Sequence, residues 1–189
     1  MPPRTYPLPG QPCPACRASS LSLTESTENA DYFGQLLLTT IFCSRCGYKD
    51  SDVSLVAAGE PNVIRARIVS RKDLAMKVVR SSSATIRIPK LGVSIRPRIS
   101  SEGFITNIEG VLDRVQQVLE GIIPSLPPKR KSRANKVLAN LKKARQGKLT
   151  FFLELIDPSG RSGIAGSDMR KIKSRSLSKK ELEKLEDSQ

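Results

Sequence analysis

The chain has 189 residues, with 32 Lys and Arg against 18 Asp and Glu and no histidine. This length admits one domain, or one domain with a small satellite module. The missing histidine excludes Ser-His-Asp triads, imidazole general bases and imidazole metal ligands together. No apolar run is long enough for a membrane-spanning helix.

The formal net charge of +14 is unevenly spread: −2 over residues 1–60, +6 over 61–128 and +10 over 129–189. Aromatic residues make up only 4%, so the core has to come from Val, Ile and Leu. The start, "MPPRTYPLPGQPCP", is proline-rich and lacks the apolar stretch of a secretion signal. A reducing, cytoplasmic setting is therefore expected.

The four cysteines are Cys13, Cys16, Cys43 and Cys46, in "CPAC" and "CSRC", with 26 residues between the pairs. Two such pairs suit a tetrahedral four-thiolate zinc site. Each pair can form a knuckle whose backbone amides donate to the thiolates. Gly47 after Cys46 offers the positive φ such a knuckle uses; Arg17 in the equivalent place predicts a slightly looser first knuckle. An iron–sulfur cluster is the main alternative. Paired disulfides would need an oxidising compartment. A thioredoxin-like dithiol would need a helix after one pair, but both pairs flank β-like sequence, "LSLT" and "QLLLTTIF". Four protein ligands leave no open coordination position. One structural zinc per chain is expected, folding a ribbon too small to bury its own core.

Residues 52–69 read as β structure, with Ile64, Ala66 and Ile68 alternating against Arg65 and Arg67. "VSRKDLAMKVVRSS" predicts a short helix, with Ser70 as N-cap, Asp73 three residues on and a staple between Val69 and Leu74. "ATIRIPKLGVSIRP" predicts two strands broken at Pro89, with Gly92 at the bend. A helix near 107–122 follows, with a capping box from Thr106 to Glu109 and a continuous apolar face from Ile108 to Ile122 that should pack on a sheet. A proline-marked connection leads to a second helix near 133–146, with Val137, Leu138, Leu141 and Ala144 inward and a stop at Gly147. "LTFFLELI" predicts a central strand and "DPSGRSG" a tight turn. "SLSKKELEKLED" predicts a short helix with a capping box from Ser178 to Glu181, frayed or docked by Leu182 and Leu185.

Taken in order, Cys-x-x-Cys, "CSRCGY", "RKDLAMKVVRSSSATIRIPKLGVSI", "GFITNIEGVLDRV" and "LIDPSGRSGI" resemble the ZPR-type zinc-finger family, in its single-copy archaeal form, from about Cys13 to Ile164. The resemblance implies a mainly β (α+β) protein: a four-cysteine zinc ribbon, then a β-rich domain resembling a double-stranded β-helix with two or three flanking helices. The chain is read as a zinc-ribbon module over 1–51, the β-rich domain over 52–166 and a basic tail with a short helix over 167–189. The resemblance also implies binding to a translation elongation factor of the 1-alpha type, as chaperone or assembly partner. Ile156 and Arg161 stand where the family carries Asp and Asn, and Ile105 where it often carries Thr. The helix before the last strand, usually charge-mixed or acidic in the family, is here purely basic.

"DPSGRSG" lacks the GxxxxGK[ST] order of a phosphate loop and reads as the tight turn given above, with Asp157, Gly160 and Arg161 kept as candidates for partner contact. No acidic residue lies between Gly121 and Leu153. Lys129, Arg130, Lys131, Arg133, Lys136, Lys142, Lys143, Arg145 and Lys148 could neutralise phosphates. Without interleaved aromatics they predict sequence-independent contact with RNA or the ribosome, the alternative being a solvated face. Paired carboxylates and an activated nucleophile are both missing, so no residue is assigned as catalytic and an enzyme is not expected. Two readings stand: a translation-factor-binding protein, and a basic RNA- or ribosome-associated protein acting through residues 129–148.

Overall fold

A computed structural model describes residues 2–57, 59–97 and 102–186. The N-terminal part is a four-stranded antiparallel meander of β1 (Arg4–Pro7), β2 (Leu21–Ala30), β3 (Gly34–Cys43) and β4 (Lys49–Leu55). The β2–β3 hairpin runs in register from Leu21 opposite Cys43 to Ala30 opposite Gly34. At about 3.3 Å per residue, the cysteine end therefore lies about 30 Å from the hairpin turn. β1 was not anticipated: all four of its residues are exposed, so this edge strand carries no apolar pattern. β4 runs four residues past the expected end of the ribbon at 51.

The rest of the β structure comprises β5 (Asn62–Ile68), β6 (Lys77–Arg80), β7 (Thr85–Ile88), β8 (Val93–Ile95), β9 (Phe104–Asn107), β10 (Phe151–Asp157), β11 (Gly163–Ala165) and β12 (Ile172–Ser176). Two sheets result, in the orders β12-β5-β10-β7-β8 and β11-β6-β9. β10 is the central strand that "LTFFLELI" predicts. Between the sheets lies one aliphatic core, with Ala66, Ile86, Leu153 and Leu155 from the larger sheet and Val78 and Ile164 from the smaller. Successive residues of a strand face opposite sides. Val79 accordingly points away from that core and packs with Leu36 and Val53 of the ribbon. The three-stranded sheet is thus a wall shared by both parts, and it fixes the ribbon on the β-domain.

Two local expectations are corrected. The helix read over "VSRKDLAMKVVRSS" is only a 3-10 turn at Arg71–Ala75; the sequence after it is β6. The Asp73 carboxylate does accept from the Ser70 amide and hydroxyl, at 3.0 and 3.1 Å, and it also holds Lys171 Nζ at 2.6 Å. Within the expected basic tail, Ile172–Ser176 pairs with β5 as an edge strand of the larger sheet.

The first helix, α1 (Ile108–Ile122), is capped by Asn107, whose side chain accepts from the Gly110 amide at 2.8 Å. The expected cap, Thr106, belongs to β9. Ile108, Val111 and Leu112 are buried and Val115 and Leu119 pack half-buried against the core, while Val118 and Ile122 are 62% and 43% exposed, so one edge of the predicted apolar face stays open. The second helix, α2 (Pro128–Arg145), starts five residues before the expected 133, with Pro at its first turn. It buries Ala134, Leu141 and Ala144 and stops before Gly147, whose φ is 71°. The third helix, α3 (Lys179–Glu186), follows the predicted capping box: the Ser178 amide and hydroxyl donate to Glu181 at 3.0 and 2.8 Å.

Candidate metal centre

The first cysteine pair sits in the loop between β1 and β2, the second in the tight connection from β3 to β4. The two knuckles are built alike. Arg17 donates its amide to Cys13 O at 2.8 Å and Gly47 to Cys43 O at 3.0 Å. Cys13 in turn donates to Ala18 O at 2.9 Å and Cys43 to Tyr48 O at 2.8 Å. Arg17 and Gly47 both take positive φ, 60° and 76°. Arg17 thus adopts the left-handed backbone despite its Cβ, and the first knuckle is closed like the second, not loosened.

The pairing of Leu21 with Cys43 draws the knuckles together, and the Ser44 amide bonds Ser20 O across them at 3.1 Å. All four Sγ atoms lie within 4.8 Å of one another, with Cys13···Cys46 and Cys16···Cys43 each at 3.7 Å. A tetrahedron with Zn–S of about 2.3 Å has sulfur–sulfur edges of about 3.8 Å. The cage therefore matches a single zinc ion and is too tight for a multi-iron cluster. Leu8, Leu21, Ile41 and Tyr48 pack against the cysteines.

Protonation argues the same way. Burial pushes the Cys43 thiol up, but donation from the Cys46 and Arg45 amides and from neighbouring thiols prevails, and its pKa falls to about 7. The Tyr48 amide favours the Cys46 thiolate, yet burial and the adjacent thiols outweigh it and push Cys46 up to about 12. Four thiolates cannot all ionise side by side without a cation; Zn²⁺ resolves that conflict and displaces the protons. With four protein sulfurs as ligands, the site keeps no position for a substrate, and its role is to hold the ribbon.

The residues considered for partner contact divide. Asp157 is fully buried at the end of β10; it accepts from the Ser159 and Arg161 amides at 2.8 Å each, and the Ser81 and Ser83 hydroxyls lie 3.3 Å away. Gly160 is buried with φ 65°, and a Cβ there would overlap the Gly59 carbonyl. Arg161 is exposed. Sequence reading missed a neighbouring latch: Asp52 of the ribbon accepts from the Ser82 amide and hydroxyl at 2.9 and 2.8 Å. Its two halves lie 30 positions apart, and no local pattern marks them.

Of the nine basic residues over 129–148, eight are exposed and lie along or just beyond α2. Arg145 instead turns inward: it binds Asp113 at 2.8 Å, Glu109 at 3.7 Å and Gln116 at 3.2 Å, tying α2 to α1. Among the described residues, no helix is long and apolar enough to cross a membrane.

Comparison with known proteins gives the lineage. The family model of the ZPR1 jelly-roll domain matches residues 72–189. An uncharacterised ZPR1-like protein of Methanocaldococcus jannaschii is 39% identical over 177 residues, 93% of this chain and 88% of that protein. A ZPR1-like protein of Pyrococcus horikoshii is 35% identical over 178 residues, 92% and 78% of the two chains. The zinc finger chaperone zpr1 of Schizosaccharomyces pombe is 28% identical over 157 residues, 79% of this chain but only 34% of that longer protein. With its four-thiolate ribbon fixed to a jelly-roll domain, and relatives of this identity along nearly its whole length, the chain belongs to the ZPR1 family.

Proposed function

We propose that this protein binds a translation elongation factor of the 1-alpha type and acts as its chaperone or assembly partner in the cytoplasm, with no enzymatic step of its own. The observation that carries this reading is the likeness to a relative named as a zinc finger chaperone, over 79% of this chain. The closed metal site supports it, since a zinc held by four cysteines stabilises a surface and performs no chemistry. Arg161, exposed beside the buried Asp157 turn, is the remaining contact candidate of that loop. At the far end of α1, the exposed Val118 and Ile122 add apolar area of the kind partner surfaces use.

A second reading has its own observation. Lys129, Arg130, Lys131, Arg133, Lys136, Lys142, Lys143 and Lys148 are all exposed in a segment without a single acid. Such a segment fits sequence-independent contact with RNA or the ribosome. A pull-down from native lysate, repeated with nuclease and across a salt series, separates the two. Retention of elongation factor 1-alpha after nuclease is the expected result. Recovery of RNA alone, lost steeply as salt rises, would replace the first reading by the second.

A further inference from the structure

The outward face of the five-stranded sheet carries a cationic trough that neither reading uses. Strand register puts Lys173, Arg65, Glu154, Arg87 and Ser94 in one row across β12, β5, β10, β7 and β8. The next row on the same face is Arg175, Val63, Ile156 and Thr85. α3 stands along one side. The Leu177 amide before it bonds Pro61 O at 2.8 Å, and Glu181 takes both Arg175 nitrogens at 3.0 and 2.7 Å. Between helix and sheet is a cavity of about 580 Å³, lined by Val63, Ile156 and Leu185 among others. A smaller cavity continues past Arg87 and Ile156 to Arg96.

The charges in this trough do not balance. Glu154 is shared with Arg65 at 3.6 Å, and Arg65 also lies over the Phe152 ring at 3.8 Å. Glu181 is taken by Arg175. Among the described residues, Arg87, Arg96 and Lys173 have no carboxylate partner. An aliphatic floor with unneutralised cations along it is matched by a ligand with carboxylates beside aliphatic side chains. A nucleic-acid strand held by its phosphates would leave the aliphatic floor of Val63, Ile156 and Leu185 unused, and the ring on this face that a base could stack on, Phe152, is already covered by Arg65. α3 already displays the matching chemistry. Its Glu181 and Leu185, one turn apart, put a carboxylate on Arg175 and an aliphatic side chain at the trough.

We infer that this trough docks an acidic, aliphatic-bearing segment of a partner protein, with α3 as one wall. The inference does not depend on which partner the preceding section names. The cations steer and orient the segment, and the apolar floor supplies the contact that distinguishes it from any other acidic chain.

The test uses the full zinc-loaded chain and a fluorescein-labelled peptide, (Glu-Glu-Leu-Leu)3, followed by anisotropy at physiological salt. The double variant Arg87→Glu/Lys173→Glu should weaken binding at least tenfold. The same charge change on α2, Lys136→Glu/Lys143→Glu, should leave it within twofold. On the unaltered chain, (Glu-Glu-Ser-Ser)3 of equal charge should bind at least tenfold more weakly. Equal loss in both double variants, or equal binding of the two peptides, would reduce the trough to general charge attraction and overturn the inference. A labelled uridine dodecamer weakened by Arg87→Glu/Lys173→Glu, with the leucine peptide unaffected, would overturn it in favour of nucleic acid. Zinc content and thermal unfolding report whether the variants fold; if the trough variant does not, the peptide comparison on the unaltered chain decides alone.

Discussion

Asp157 is fully buried at the end of the central strand, and its carboxylate stays ionised. Burial raises its pKa, but donation from the Ser162 and Ser159 hydroxyls and the Ser159 and Arg161 amides lowers it further, below the ordinary carboxylate range. A carboxylate depressed in the folded state contributes stability that is complete above its unfolded pKa of about 3.9 and is lost as pH falls through the folded value. Asp157→Asn turns two acceptors into one and faces an amide donor toward existing donors. We expect it to cost about 2–3 kcal/mol at pH 7 and to flatten the acid limb of stability, both measurable by urea unfolding across pH. Gly47 isolates a backbone effect, because a Cβ there would meet nothing within 4 Å. Gly47→Ala should therefore cost about 1 kcal/mol of the zinc-loaded ribbon's stability through its positive φ alone. Thermal unfolding of the loaded protein measures it, and an unchanged midpoint would mean the knuckle bears no such strain. Arg17 already bears that strain in the first knuckle.

The start of α1 shows where pattern and structure part. Thr106 with Glu109 satisfies the capping-box spacing, yet Thr106 is paired with Val78 in β9, and Asn107 bonds the first turn instead. Asn107→Ala should destabilise by about 1 kcal/mol by loss of the cap, and Thr106→Ala by clearly less; denaturant midpoints of the two variants decide between the caps. The long amphipathic helices and the central strand were legible because their apolar residues recur at a period that survives tertiary context. β6 was not: Val78 faces one core and Val79 the other, so both are buried and strand alternation vanishes. Its neighbours Leu74, Ala75 and Met76 then read as helix by propensity. β1 and β12 escaped for the opposite reason, since exposed edge strands need no apolar face.

The gathering of the four cysteines was readable, because each pair sits close along the chain on a knuckle and the two pairs declare each other, whereas the closed first knuckle at Arg17 was not. The Asp52–Ser82 latch and the trough on the sheet were not, because only the fold brings their residues together. The fold also separates the metal cage from the main core: the cysteines cluster with Leu21 at the open end of a hairpin about 30 Å long, opposite its turn. The β-domain core holds none of them. Chelation should therefore melt the knuckles and leave the jelly-roll packing intact, giving two transitions in calorimetry with only the lower one sensitive to metal. A single transition lost entirely on chelation would show that ribbon and β-domain fold as one unit. The central claim is that one zinc ion sits in the cage of Cys13, Cys16, Cys43 and Cys46. Native mass spectrometry of anaerobically purified protein tests it most directly. One zinc per chain, lost on replacing all four cysteines by serine, is the predicted result. A metal-free chain, bound iron in place of zinc, or zinc retained by the four-serine variant would contradict it.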